Sequence, residues 1–220
     1  MKWGTRDDLL ADLADAVGSI ALGHPARVAV DGPPAAGKTT LADELAAVLR
    51  SRGRHVVRAT IDDFLFPRER RYRRGEHSAE GCYYDTHDYS GLTRVLLDPL
   101  GPGGDRRFRT AVYDHTTDSV LSPPVTIAPA DAVLLFDGVF LLRPELIDRW
   151  ELSIFVSIDL AKTVDRAVVR EGHRPSSAVE RRWRERYIPS QQLYFATARP
   201  TDHADVVVHN DEPHKPTWES

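Results

Sequence analysis

Apolar residues along this chain keep two spacings in turn, and their alternation predicts the architecture. Leu9, Leu10, Leu13, Val17 and Ile20 recur at helical intervals between Asp7, Asp8, Asp12 and Asp15, the pattern of an amphipathic helix lying on a core. Arg27-Val28-Ala29-Val30-Asp31 is a short continuous run of the buried-strand kind, and from Thr39 to Arg52 the apolar residues Leu41, Leu45, Val48 and Leu49 return to helical spacing. His55 to Ile61 reads as a second strand ending in Asp62-Asp63-Phe64. Ala132-Val133-Leu134-Leu135-Phe136 is a further buried strand closing on Asp137, and Leu152 to Asp159 and Asp205 to His209 repeat the type. Ser90 to Leu100 predicts a short helix capped by Ser90 and stopped by Pro99, Ala161 to Glu171 another, and Ser176 to Thr197 a third that Pro189 should break or kink. Strands alternating with helices predict an α/β fold, a parallel sheet covered by helices on both faces.

The stretches between are polar. Pro67 to Gly81 carries Arg68, Arg70, Arg71, Arg73 and Arg74 among Glu69, Glu76 and Glu80, and predicts a mobile surface segment, with anion binding as the alternative. The tail after Asn210, about residues 211–220, is rich in Pro and polar residues and is expected to fray. At 220 residues and 41% hydrophobic content the chain suits one domain, 1–220.

Between the first strand and the second helix lies the chemistry that organises the rest. Gly32-Pro33-Pro34-Ala35-Ala36-Gly37-Lys38-Thr39-Thr40 fits the phosphate-loop pattern G-x-x-x-x-G-K-[ST] at every fixed position, in the required order of strand, loop and helix. Phosphate oxygens are best met by converging backbone N–H groups and a helix N-terminus, and glycine lets the backbone come close. Lys38 adds charge for the β- and γ-phosphates, and the Thr39 hydroxyl suits Mg²⁺. Asp137, at the end of a neighbouring strand, is a second candidate for the metal shell, and Asp62 and Asp63 should face the same crevice unless they only cap a turn.

Composition narrows the partners. The formal net charge is −4, so no global basic field recruits nucleic acid. Lys2, Lys38, Lys162 and Lys215 are the only lysines among 29 basic residues, which singles out Lys38. One cysteine, Cys82, excludes an internal disulfide and fits a reducing cytosol; no apolar run approaches the roughly 20 residues of a membrane helix.

An acceptor for the phosphoryl group is expected against two aromatic and polar stretches. In Tyr83 to Tyr89 the candidates are Tyr84 and Asp85, the latter as a hydroxyl ligand; in Arg106 to Asp118 they are Tyr113 and His115, which could instead be the tips of a hairpin. Asp63, Arg166 and Gln191 complete the expected acceptor set. Arg166, Arg170 and Arg174 lie four residues apart and could close on a transferring phosphoryl group or form a solvated face.

Taken together, the phosphate loop, Asp62-Asp63-Phe64, the Tyr-Asp-His stretch, Asp137-Gly138-Val139-Phe140 and the arginine series resemble the uridine kinase family of P-loop NTPase-fold kinases, a group beside bacterial pantothenate kinase and phosphoribulokinase. The resemblance covers about residues 25 to 210. It implies ATP- or GTP-dependent, Mg²⁺-assisted phosphorylation of a hydroxyl on a small molecule, uridine or cytidine first. It also implies Asp62 as general base and Arg170 and Arg174 as arginines of a short lid, about residues 170–182. Asp137 stands where the family usually has Glu. Tyr113-Asp114-His115 departs from the uridine kinase order and is closer to that of pantothenate kinase. A kinase acting on a pantothenate-, ribosyl-cofactor- or sugar-like acceptor is the alternative, and a nucleotide-dependent switch the alternative of another class. A homo-oligomer is compatible with either.

Overall fold

The computed structural model of the chain describes residues 1–170 and 177–220. Its frame is a seven-stranded sheet of β1 (Lys2–Trp3), β2 (Ala26–Asp31), β3 (Val56–Thr60), β4 (Val133–Gly138), β5 (Leu152–Ser157), β6 (Val206–His209) and β7 (Thr217–Glu219), in the order β1-β7-β6-β5-β2-β4-β3. From β6 to β3 every neighbouring pair is parallel, and β7 runs antiparallel to β6 and β1.

Strands buried on both faces need apolar residues at every position, which is why β2 and β4 read as unbroken runs. Val28, Val30, Val133 and Leu135 point to one face, where they meet Leu9, Leu13 and Val17 of α1 (Arg6–Gly18) and Leu41, Leu45 and Leu49 of α2 (Lys38–Ser51). Ala29, Leu134 and Phe136 point to the other, against Leu92, Leu96, Leu97 and Phe108. The two helices begin differently. Thr5 caps α1 in a reciprocal box with Asp8, whereas α2 opens on Gly37 in the left-handed region with no side-chain cap and no acidic residue in its first turn. The first N–H groups of α2 are thus left for an anion.

Three expectations need correction. The tail is not frayed: Trp218 is 4% exposed, packs into the α1 core and donates from Nε1 to Asp12 at 3.1 Å, and this one large apolar side chain holds β7 in the sheet. The helix at Tyr89–Leu92 is capped by Asp88, whose carboxylate accepts the Gly91 N–H at 2.9 Å, and not by Ser90. The arginine-rich segment from Pro67 is folded onto the domain through a helical turn, Arg68–Arg71, and the helix Ala79–Asp85. The break expected at Pro189 is present: the long helix near the C-terminus runs as Ser177–Arg182, a wide π-type turn at Trp183–Tyr187, then Ile188–Ala198, with the ring of Pro189 at the start of the new segment. Among the described residues no helix is long and apolar enough to cross a membrane.

Candidate functional site

The phosphate loop leaves β2, the middle one of the five parallel strands. Gly32 has φ +147°, and a Cβ there would stand 2.3 Å from the Val156 carbonyl oxygen, so the loop lies against β5 as only glycine allows. Lys38 folds back over the loop and donates to the Pro33 carbonyl at 2.7 Å. Behind it Asp31 is wholly buried: Oδ1 accepts the Gly32 N–H at 2.7 Å, and Oδ2 accepts the Tyr194 hydroxyl at 2.5 Å and the Leu142 N–H at 3.2 Å. Burial pushes the Asp31 carboxyl above its ordinary range, opposed by the Tyr194 hydrogen bond, the Gly32 N–H and the charge of Lys38.

The sheet register puts Asp137 beside Val30 on one side and Thr60 on the other, at the carboxyl edge where open parallel sheets bind ligands. Asp137 is 2% exposed, accepts the Thr39 hydroxyl at 2.6 Å and pairs with Arg58 at 2.9 Å. Thr60 caps the short turn Ile61–Asp63, which delivers Asp62 to the same edge. Asp63 is half-buried beside it; burial and then the Asp62 charge raise its carboxyl, with His115 opposing.

One cavity of about 750 Å³ joins these groups. Pro34, Ala35 and Gly37 to Thr40 of the phosphate loop line it, as do Asp62, Asp137 and Phe140, and it continues to Arg71, Tyr72, His87, Arg186 and Gln191. Both polar atoms of the Gln191 amide are buried without a partner among the described residues, so the side chain offers a donor and an acceptor. Burial, and then the charges of Arg143, Arg71 and Arg186, push His87 down to about 3, which keeps its imidazole neutral near physiological pH.

The expected acceptor residues divide. Gln191 and Arg166 line the cavity, but Arg166 donates to the carbonyls of Ala35, Ala36, Asn210 and Asp211, which sets it beside the phosphate loop rather than with an acceptor. Tyr84, Asp85, Tyr113, His115 and Asp63 are not among the lining residues. Tyr84 is 47% exposed, and the Tyr113 hydroxyl donates to Asp118. Asp85 is buried and taken by Arg73 and Arg74; burial works against its ionisation, but those two arginines overcome it and hold its carboxyl low. Arg170 ends the helix Leu160–Arg170, and its side chain and residues 171–176 of the expected lid, Arg174 among them, lie outside the described residues. Sequence reasoning missed Tyr72, His87 and Arg186 as lining groups. His87 stands two residues past Asp85, within the stretch already suspected, whereas Arg186 carries no signal apart from its neighbours Arg181, Arg182 and Arg184.

A model of the cytidylate kinase-like family matches residues 27–212. The chain belongs to the cytidylate kinase-like family. Uridine-cytidine kinase B of Dictyostelium discoideum is 28% identical over 189 residues, 84% of this chain and 74% of that protein. A structure titled a possible uridine kinase, from Bacillus stearothermophilus, matches with a TM-score of 0.71 at 24% identity, covering 91% of this chain and 97% of that one. Phosphoribulokinase from Rhodobacter spheroides matches with a TM-score of 0.57 at 17% identity, over 85% and 70% of the two chains. This member of the cytidylate kinase-like family thus has the phosphate-loop kinase fold, with transfer of a phosphoryl group to a hydroxyl as its activity.

Proposed function

We propose that this protein phosphorylates a small-molecule acceptor bound in the part of the cavity lined by Tyr72, His87 and Gln191, with ATP on the phosphate loop. The observation that carries the reading is the single cavity running from Lys38 past Asp62 to the unpartnered Gln191 amide. The uncapped start of α2 and Lys38 would hold the β- and γ-phosphates. Asp62 would take the proton of the acceptor hydroxyl, and Lys38 with Arg170 and Arg174 would meet the charge that spreads over the transferring group.

Hard oxygen donors suit Mg²⁺, and Thr39, Asp137 and Asp62 supply a hydroxyl and two carboxylates. Among the described residues no group of three or more His, Cys, Asp or Glu could hold a metal, and these three side chains would leave the rest of the ion's shell to water and phosphate. Bound there, Mg²⁺ would neutralise charge on the β- and γ-phosphates. The lone Cys82 is buried and suits a reducing cytosol.

Uridine and cytidine are the acceptors to test first, on the strength of the Dictyostelium relative's name. The protein is incubated with ATP·Mg²⁺ and each nucleoside, alongside a pool of vitamins, sugars and sugar acids, and products are read by mass. Asp62→Asn is expected to retain nucleotide affinity while turnover falls by roughly 10²–10⁴, the usual contribution of a positioned base. The same loss from Asp63→Asn, with Asp62→Asn near normal, would show that the base has been assigned to the wrong carboxylate.

A further inference from the structure

Arg186 is 3% exposed and lines the cavity, and among the described residues it is met by neutral oxygens, the Cys82 thiol and an aromatic ring. Its Nη1 donates to the carbonyls of Glu76 at 3.2 Å and Ser78 at 3.1 Å, and its Nη2 to the Thr86 hydroxyl at 3.3 Å, all at the long end for such bonds. Among the described residues no carboxylate pairs with it. Arg71, also lining, has one ion pair among the described residues, with Asp118 at 3.3 Å, and shares that carboxylate with the Tyr113 hydroxyl and the Arg68 N–H; its buried Nε has no partner among them. The Tyr72 ring lies close to both cations, 4.9 Å from the Arg186 Cζ and 5.7 Å from the Arg71 Cζ. The carboxylates that line the cavity are Glu44, Asp62 and Asp137, of which Glu44 is held by Arg6 and Asp137 by Arg58.

A buried guanidinium with no counter-ion is costly, and its planar fork matches a carboxylate or phosphate group. An uncharged nucleoside would fill the cavity and leave that cost in place. We infer that the acceptor carries an oxyanion group, a carboxylate or a phosphate, which Arg186 and Arg71 receive while its hydroxyl is presented to Asp62. The inference rests on the kinase reading and deepens it by naming the acceptor's charge. Gln191, with both amide atoms free, would bind the neutral polar part of such a molecule.

The wild-type protein with ATP·Mg²⁺ is given a bacterial metabolite extract supplemented with uridine, cytidine and matched pairs: glycerol with D-glycerate, pantothenol with pantothenate, ribose with ribose 5-phosphate. Mass spectrometry reads which molecules gain a phosphoryl group, and the carboxylate and phosphate members separate the two sources of charge. The expected product derives from an acid. For that acceptor, Arg186→Gln should lower kcat/KM about 10- to 100-fold, the size of a lost charge-assisted hydrogen bond, mostly through KM, and Arg186→Lys should recover part of it. Melting temperature and affinity for a non-hydrolysable ATP analogue report whether each variant is folded. Uridine, cytidine or another uncharged molecule as the most efficient acceptor overturns the inference and leaves the kinase reading standing. So does an Arg186→Gln variant that loses activity equally for charged and uncharged acceptors in step with its melting temperature. No product from any molecule, with the ATP analogue bound normally, overturns the kinase reading itself.

Discussion

Replacing Tyr194 by Phe removes a single oxygen from the wall behind the phosphate loop, and the surrounding geometry sets the size of the effect. Tyr194 is fully buried; its hydroxyl donates to Asp31 Oδ2 at 2.5 Å and accepts the Leu142 N–H at 2.9 Å. Without it, Oδ2 keeps only the Leu142 N–H at 3.2 Å. A hydrogen bond to a charged group contributes about 1.5–3 kcal/mol net, so Tyr194→Phe should destabilise the fold by that amount. In a chain of this length each kcal/mol moves Tm by about 2–4 °C, which gives a fall of roughly 3–12 °C. Because the other oxygen of Asp31 holds the Gly32 N–H, ATP affinity should fall as well.

The effect should also depend on pH, with a defined sign. Burial raises the Asp31 carboxyl above its unfolded value, and the Tyr194 hydrogen bond is the largest opposing cause. A carboxyl raised in the fold binds its proton more readily there than in the unfolded chain. Its contribution is therefore fully present below the unfolded value and is lost as pH rises through the folded one. Removing the hydroxyl raises the folded value further, so the loss on going to neutral pH grows. The gap between wild type and Tyr194→Phe should thus be widest near neutrality. It should narrow as pH falls through the carboxylate range, towards the about 0.5–1.5 kcal/mol of a neutral hydrogen bond. Urea denaturation of both proteins across that range, with calorimetric ATP titration, measures it. A gap below about 0.5 kcal/mol at neutral pH, or one that widens on acidification, would refute the reasoning that the Tyr194 hydroxyl supports the Asp31 carboxyl beneath the loop.

Two further outcomes follow from single contacts. Gly32→Ala should fold but bind ATP poorly, since the added methyl would meet the backbone carbonyl of Val156 at 2.3 Å and the loop must shift; unchanged ATP affinity by calorimetry would show that the loop does not depend on this approach. Trp218→Ala should cost about 3–5 kcal/mol, the range for emptying an aromatic site in a core, and thermal melts of the variant would show no change if the tail were the frayed segment its composition suggests.

What could be read from the sequence was what depends on short range. A run such as Val28-Ala29-Val30 has one explanation, burial on both faces of a sheet, and the fixed spacing from Gly32 to Thr39 has another. Asp62 and Asp137 were legible because strand ends in a parallel sheet share an edge. The tail was misread because composition averages over residues, and a single Trp218 outweighs the prolines around it once α1 and β6 offer it a place. Asp85 was misread because a carboxylate beside tyrosines resembles a ligand until its ion-pair partners, eleven and twelve residues back, are seen.

The acceptor end was illegible for a related reason, which is also what gives it a chemical character. Pro67 to Gly81 holds five arginines, and sequence alone treats them as equivalent. Folding assigns each one differently. The Arg70 guanidinium lies over the Phe66 ring, and Arg73 and Arg74 share the carboxylate of Asp85. Asp85, together with Glu80, which also pairs with Arg74, thereby offsets those two positive charges without entering the cavity. Arg71 is left with part of one carboxylate, and Arg186, arriving from a helix more than a hundred residues away, with none among the described residues. His87, held neutral between them, adds no charge of its own. Charge selection at that end therefore depends on which arginines the fold neutralises and which it leaves for a ligand, and the number of arginines in the sequence does not reveal that division.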